Sequence, residues 1–298
     1  MNLYSLFAAH FPQDKSTCCI ETQDGRYYSW DDIEHASAKL ANLLVSLNLQ
    51  AGARIAVQVE KSAESLLLYL ATLRAGYVFL PLNTAYQAAE MRYFIQDAEP
   101  EVVVCAPENF GWLSQIAFQA GCKHVFTLDA PALGNNNGSL LERAAVQSDH
   151  FTTLARAPDD LAAILYTSGT TGRSKGAMLS HGNLGSNAEV LQQAWHWKSS
   201  DVLLHSLPLF HVHGLFVAAH SALLGGSKMI LLPKFDAKTA IDYLPRSTVF
   251  MGVPTYYVRL LQEAALTPQQ CASMRLFVSG SAPLLSDTFH AFTRLTGH

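Results

Sequence analysis

Several features are scarce in this 298-residue chain, and each scarcity removes a class of protein. Its five cysteines, Cys18, Cys19, Cys105, Cys122 and Cys271, are odd in number and form no Cys-x-x-Cys pair. The expectation is free thiols in a reducing compartment, not a disulfide framework. No apolar run approaches the roughly eighteen residues of a membrane span. The opening residues, Met1 to Phe7, carry no basic segment ahead of an apolar one, so they do not read as a secretory leader. A cytoplasmic protein is expected. Charge is sparse as well: charged residues are 15%, with 20 Lys plus Arg against 24 Asp plus Glu and a net charge of −4. That balance does not suggest a nucleic-acid or membrane-surface protein. Neither an internal repeat nor a low-complexity segment is found. What remains is a globular chain, 49% hydrophobic and long enough for two packed lobes.

The two commonest phosphate motifs are also missing. There is no Gly-x-Gly-x-x-Gly fingerprint, and no Gly-Lys-Ser/Thr run opening a helix. In their place stands one unusual stretch, Tyr166 to Gly176, reading Tyr-Thr-Ser-Gly-Thr-Thr-Gly-Arg-Ser-Lys-Gly. An apolar run, Leu161 to Leu165, leads into it and reads as a buried strand. Gly169, Gly172 and Gly176 let the backbone approach a ligand closely. Ser168, Thr170, Thr171, Arg173 and Lys175 add donors and positive charge. Successive N–H groups in such a loop form a concave anion site, so the chemistry indicated is polyphosphate binding.

Elsewhere, strands and helices alternate. A capping-box spacing at Ser29 to Asp32 predicts a helix to about Leu47. Strands are predicted at 54–59, 78–82, 101–105 and 124–128, with helices at 65–75, 88–97 and 110–120 between them. Beyond the glycine-rich stretch, helices are predicted at 180–195, 214–224, 237–244, 255–264 and 286–296. Strands are predicted at 201–207, 228–232, 248–252 and 275–279. The run from Gly134 to Gly138 reads as a loop tip. This alternation predicts an α/β fold with mainly parallel sheets. Two stacked α/β lobes, with ligands at the carboxyl ends of strands, are the expected architecture.

The Tyr166–Gly176 stretch resembles the signature loop of the adenylate-forming superfamily: acyl-CoA synthetases, peptide synthetase adenylation domains and beetle luciferases. Family-like segments also occur at Leu207-Pro-Leu-Phe-His-Val-His-Gly214, Gly252-Val-Pro-Thr-Tyr-Tyr257 and Ser279-Gly-Ser-Ala-Pro-Leu284. The resemblance implies the same two-lobed fold and a chemistry that uses ATP, magnesium and CoA. A carboxylate attacks the α-phosphorus, pyrophosphate leaves, and the CoA thiol then takes the acyl group. It also implies that Thr167, Ser168, Gly169, Thr170, Thr171, Gly172 and Lys175 hold the β- and γ-phosphates, with Lys175 countering the charge that builds during transfer. Gly280, Ser281, Ala282 and Pro283 match the positions that pack on adenine.

Three histidines cluster at His205, His211 and His213. A His-x-His pair without a spaced third ligand is a weak metal signal, and no metal ligands are assigned. By resemblance His211 lines the acyl pocket and serves catalysis, whereas His205 and His213 are expected to be structural. Arg259 lies three residues after Tyr256, on the same helix face. It is expected to grip a second carboxylate on the acid. Here the resemblance is to malonyl-CoA synthetases, acting on malonate or methylmalonate. A buried pair would discriminate against a monocarboxylate by about two to three decades.

In this family a Tyr-Gly-x-Thr-Glu segment, a ribose-binding aspartate, a hinge and a small lysine-bearing domain follow. None occurs before His298. The resemblance therefore implies the N-terminal portion of a longer synthetase, with residual nucleotide binding at most and little turnover by itself. Two alternatives stay open: a non-catalytic fragment that binds a nucleotide or a partner, and a ligase for an aromatic or longer fatty acid.

Overall fold

The computed structural model describes residues 1–129, 138–167 and 174–298. Twelve strands are formed among them: β1 Cys18–Thr22, β2 Tyr27–Ser29, β3 Arg54–Gln58, β4 Val78–Pro81, β5 Val102–Cys105, β6 His124–Thr127, β7 Leu161–Thr167, β8 Lys175–Ser180, β9 Val202–His205, β10 Lys228–Leu231, β11 Val249–Gly252 and β12 Leu276–Ser279. The α-helices are α1 Leu3–Ala8, α2 Trp30–Ser46, α3 Ala63–Arg74, α4 Ala88–Ala98, α5 Phe110–Gln119, α6 Gly138–Ala145, α7 His181–Ala194, α8 His220–Leu224, α9 Ala237–Tyr243, α10 Pro254–Leu261 and α11 Ser286–Thr296. The chain divides into two compact units, 1–9 with 31–186 and 10–30 with 187–298.

The first unit holds a six-stranded sheet in the order β6-β5-β3-β4-β7-β8. Every neighbouring pair is parallel except β7 with β8. The middle residues of its central strands are apolar and buried, as expected where helices cover both faces of a parallel sheet. Val103, Ala56 and Leu80 pack with Phe94, Ile95, Leu113 and Ile116 from α4 and α5. The helix starts obey local chemistry: Ser62 and Ser65 form a reciprocal capping box ahead of α3. After α3 the chain turns at Gly76, whose φ of +70° favours glycine. Buried Arg74 donates to the carbonyls of Glu34 and Phe151 and to Ser37 Oγ, tying three segments together.

The second unit holds its own six-stranded sheet, β12-β11-β9-β10-β1-β2. It too is parallel except at one edge, where β1 meets β2 antiparallel. Phe250, Leu204 and Ile230 pack with Ile241, Tyr257 and Leu260. Buried Glu21 on β1 accepts from Lys228 Nζ at 2.6 Å and Arg246 Nη2 at 2.5 Å. Burial pushes its pKa up, but the Lys228 and Arg246 contacts outweigh that and hold it below the usual range.

The predicted α/β class holds, and most boundaries agree to within one to three residues. Several differences have plain causes. The sequence reading gave no elements before residue 29, where α1, β1 and β2 form. It passed over α6, whose first residue is Gly138; the rest of the proposed 134–138 loop tip lies outside the described residues. It also treated 175–176 as loop, whereas β8 begins at Lys175. That strand is an exposed edge, with Met178 66% accessible, so it lacks the alternation that reveals half-buried strands. The helix predicted from Gly214 starts as a π-helical segment, His213–Ala219, before α8.

Candidate functional site

Two groups of predicted residues lie in different units. In the first unit, β7 and β8 pair down to a last rung, Thr167 opposite Lys175. Ser168, Gly169, Thr170, Thr171, Gly172 and Arg173, predicted for phosphate contact, lie outside the described residues. Both residues of the rung are exposed, and Lys175 forms no ion pair among the described residues. Its ammonium is therefore available to an anion.

The roots of that loop are braced by α4. Tyr93 Oη donates to the Ser174 carbonyl at 2.7 Å. One turn further along, Asp97 accepts from Tyr166 Oη at 2.5 Å. Burial, and then this hydrogen bond to Asp97, push the Tyr166 phenol well up, so the hydroxyl stays the donor. Phe94 packs against the Tyr166 ring at 4.4 Å. Gly176 permits close passage: a Cβ there would lie 3.0 Å from Ile164 Cγ2. Sequence reasoning missed Tyr93 and Asp97, whose partners are far away along the chain.

In the second unit, β9 is flanked by β10 on one side and β11 on the other. The order reverses there, so the connections leaving β9 and β11 diverge and open a crevice at the carboxyl ends. A cavity of about 460 Å³ fills it. Leu207, Pro208 and the segment from His211 to Gly214 line it after β9. Val253 and Tyr256 come after β11, and Ser281 after β12. Gly214 lets the β9 connection fold back on itself, since a Cβ would fall 2.0 Å from the Pro208 carbonyl oxygen. His205 Nε2 donates to the Gly214 carbonyl at 2.8 Å and anchors the fold-back, the structural role expected of it.

His211 is exposed beside the Phe210 ring, and desolvation lowers its pKa, so it is neutral at pH 7. His213 is buried and also forms part of the cavity wall. Its ring lies on the bare backbone of Gly280, where a Cβ would come within 2.9 Å, and its Nδ1 is 3.3 Å from Ser281 Oγ. Ser281 has a φ of +69°, a left-handed conformation that costs a non-glycine residue about 1–3 kcal/mol. Strain of this kind next to a cavity is characteristic of binding sites. Gly280 and Ser281 thus meet the histidine loop. Ala282 and Pro283 follow in the same exposed turn and do not line the cavity.

Arg259 is exposed and lies outside the cavity wall. Its guanidinium stands 5.2 Å over the Phe235 ring, which stacks on Tyr256 at 3.7 Å. The condition for a dry arginine–carboxylate pair, a buried Arg259, is not met here. An exposed arginine–carboxylate pair contributes about 1 kcal/mol or less, not the two to three decades expected of a dry one.

The AMP-binding enzyme family matches residues 6–298. The chain belongs to that family. Among solved structures it is similar to apo MatB from Rhodopseudomonas palustris, with 50% identity and a TM-score of 0.94, over 100% of this chain and 58% of that one. ATP-bound MatB from the same organism gives 51% identity and 0.94, with the same coverage. A malonate–CoA ligase of Arabidopsis thaliana is 30% identical, matched over 100% of this chain and 54% of its own length. The chain thus spans about half the length of the curated relatives it matches. No helix among the described residues is long and apolar enough to cross a membrane.

Proposed function

We propose that this AMP-binding chain serves ATP-dependent activation of a small dicarboxylic acid, malonate or methylmalonate. The product is an acyl-adenylate and then a CoA thioester. The reverse-order cavity of the second unit, with His211, Tyr256 and Ser281 on its wall, carries this reading. The similarity to a malonate–CoA ligase supports the choice of acid. Lys175 and Thr167 flank the phosphate loop, and the lysine offsets negative charge on the leaving pyrophosphate. Neutral His211 orients the acid's reacting carboxylate in the cavity. The turn from Gly280 to Pro283 gives adenine a flat, low-bulk surface, and Arg259 offers an exposed guanidinium to a second carboxylate.

Among the described residues no group of three or more His, Cys, Asp or Glu is placed to hold a metal ion. Magnesium is proposed as the cation that accompanies ATP. The free thiols fit a cytoplasmic location.

A second reading is a non-catalytic nucleotide-binding module. Pyrophosphate release measured with malonate, methylmalonate, benzoate and palmitate separates the two. A malonate-dependent signal supports the ligase. A preference for benzoate or palmitate removes the dicarboxylate assignment. ATP binding with no release for any acid supports the module.

A further inference from the structure

His213 is 6% exposed, and its Nε2 is fully buried with no hydrogen-bond partner among the described residues. Its other nitrogen faces Ser281 Oγ. Burial lowers its pKa, so the ring is neutral at pH 7 and carries one proton. The two positions for that proton are not equivalent. On Nε2 it would be a buried N–H with no acceptor among the described residues, which costs the desolvation of a donor left unsatisfied. On Nδ1 it points at the serine oxygen, and only an unprotonated nitrogen is left unpaired. With Nδ1–H donating to it, Ser281 Oγ is already an acceptor on that side. The hydroxyl proton must then point elsewhere. Ser281 is exposed on the wall of the cavity it shares with His211.

We propose that His213 is a positioning residue that fixes Ser281 as a hydrogen-bond donor to an anionic oxygen of the ligand in the cavity. The inference rests on the reading that this cavity takes a carboxylic acid or its adenylate. Three independent features of the backbone serve the arrangement. Gly280 has no side chain, so the imidazole can reach past it. Ser281 adopts a left-handed φ, which a hydrogen bond from a rigid ring helps to hold. The π-helical segment begins at His213, and π turns commonly occur where a side chain is redirected for function.

The tautomer is measurable on this chain without any ligand. Two-dimensional ¹⁵N–¹H spectra of the histidine rings, with the His213 signal identified by its loss in His213→Asn, should show the Nδ1–H form at pH 7. In Ser281→Ala the signal should move toward the Nε2–H form that free imidazoles favour. An Nε2–H ring in the unaltered chain overturns the proposal.

Malonate binding, measured by calorimetry with ATP present, supplies the second arm. Asparagine places its amide nitrogen where Nδ1 sits, whereas glutamine places it near Nε2. His213→Asn should bind within about twofold of the unaltered chain. His213→Gln and Ser281→Ala should each weaken binding by about tenfold, the value of one hydrogen bond to a charged group. In the Ser281→Ala background His213→Gln should add nothing. Additive losses would mean that His213 acts without Ser281, and would overturn the relay. If malonate does not bind but the Nδ1–H tautomer is present, the acid assignment falls and the His213–Ser281 arrangement stands.

Discussion

Tyr93 and Ser174 are 81 residues apart, and the Tyr93 hydroxyl donates to the Ser174 carbonyl at 2.7 Å. With Asp97 and Tyr166 as its counterpart, this contact joins one helix face to both roots of the glycine-rich loop. Phenylalanine at position 93 keeps the ring and removes only the donor. The expected result is ATP affinity about fivefold to tenfold weaker, with thermal stability lowered by about 1 kcal/mol or less. Equilibrium binding and thermal melts check both. Unchanged affinity would show that the brace has no influence on the loop.

His181 ties stability to pH. It is buried, and its Nδ1 accepts from the Leu3 N–H at 3.1 Å, which requires a neutral ring. Burial first, and the Arg156 charge second, push its pKa down to about 4, against a weaker opposing pull from Asp160. A folded value below the unfolded one of about 6.5 means that the unfolded chain binds more protons between them. The stability is therefore fully present above about pH 6.5 and lost as pH falls toward 4. At pH 4.5 the loss is about 2.5 kcal/mol. His181→Asn keeps an acceptor but cannot titrate. Urea midpoints at pH 7 and 4.5 should differ less in that variant than in the unaltered chain.

Asp201 is the most heavily bonded carboxylate of the second unit. Only 3% of its side chain is exposed, and it accepts from Arg275 Nη2 at 2.6 Å and Nε at 3.0 Å. Thr248 Oγ1 and the Lys198 N–H complete the set. Asp201→Asn keeps the shape but deprives Arg275 of its counter-charge. Breaking one side of such a pair costs about 3 kcal/mol. Denaturant titration should show a lower midpoint with an unchanged slope.

The parallel strands were legible because their residues are buried on both faces and read as short apolar runs between turn residues such as Gly76. The β1–β2 hairpin was legible too, although no strand was assigned there. Asp24-Gly25 stands between Cys18–Thr22 and Tyr27–Ser29, and Gly25 has a φ of +82°. By contrast, β8 follows from its pairing with β7, which no local pattern encodes. The site divided in the same way. His211 and the glycines were marked by motif. The cavity position of His213 depends on a π turn and on a bare Gly280 that lies far along the chain. The placement of Arg259 over the Phe235 ring likewise depends on a residue that no local pattern links to it.

Whether a cationic loop in this chain grips the phosphates of ATP is decided by measuring ATP binding to this chain and to its Lys175→Ala variant. A lysine–phosphate contact contributes about 1.5–3 kcal/mol, so the variant should bind about tenfold to a hundredfold more weakly. Equal affinity in the two proteins, or no ATP binding by the unaltered chain, would contradict the account.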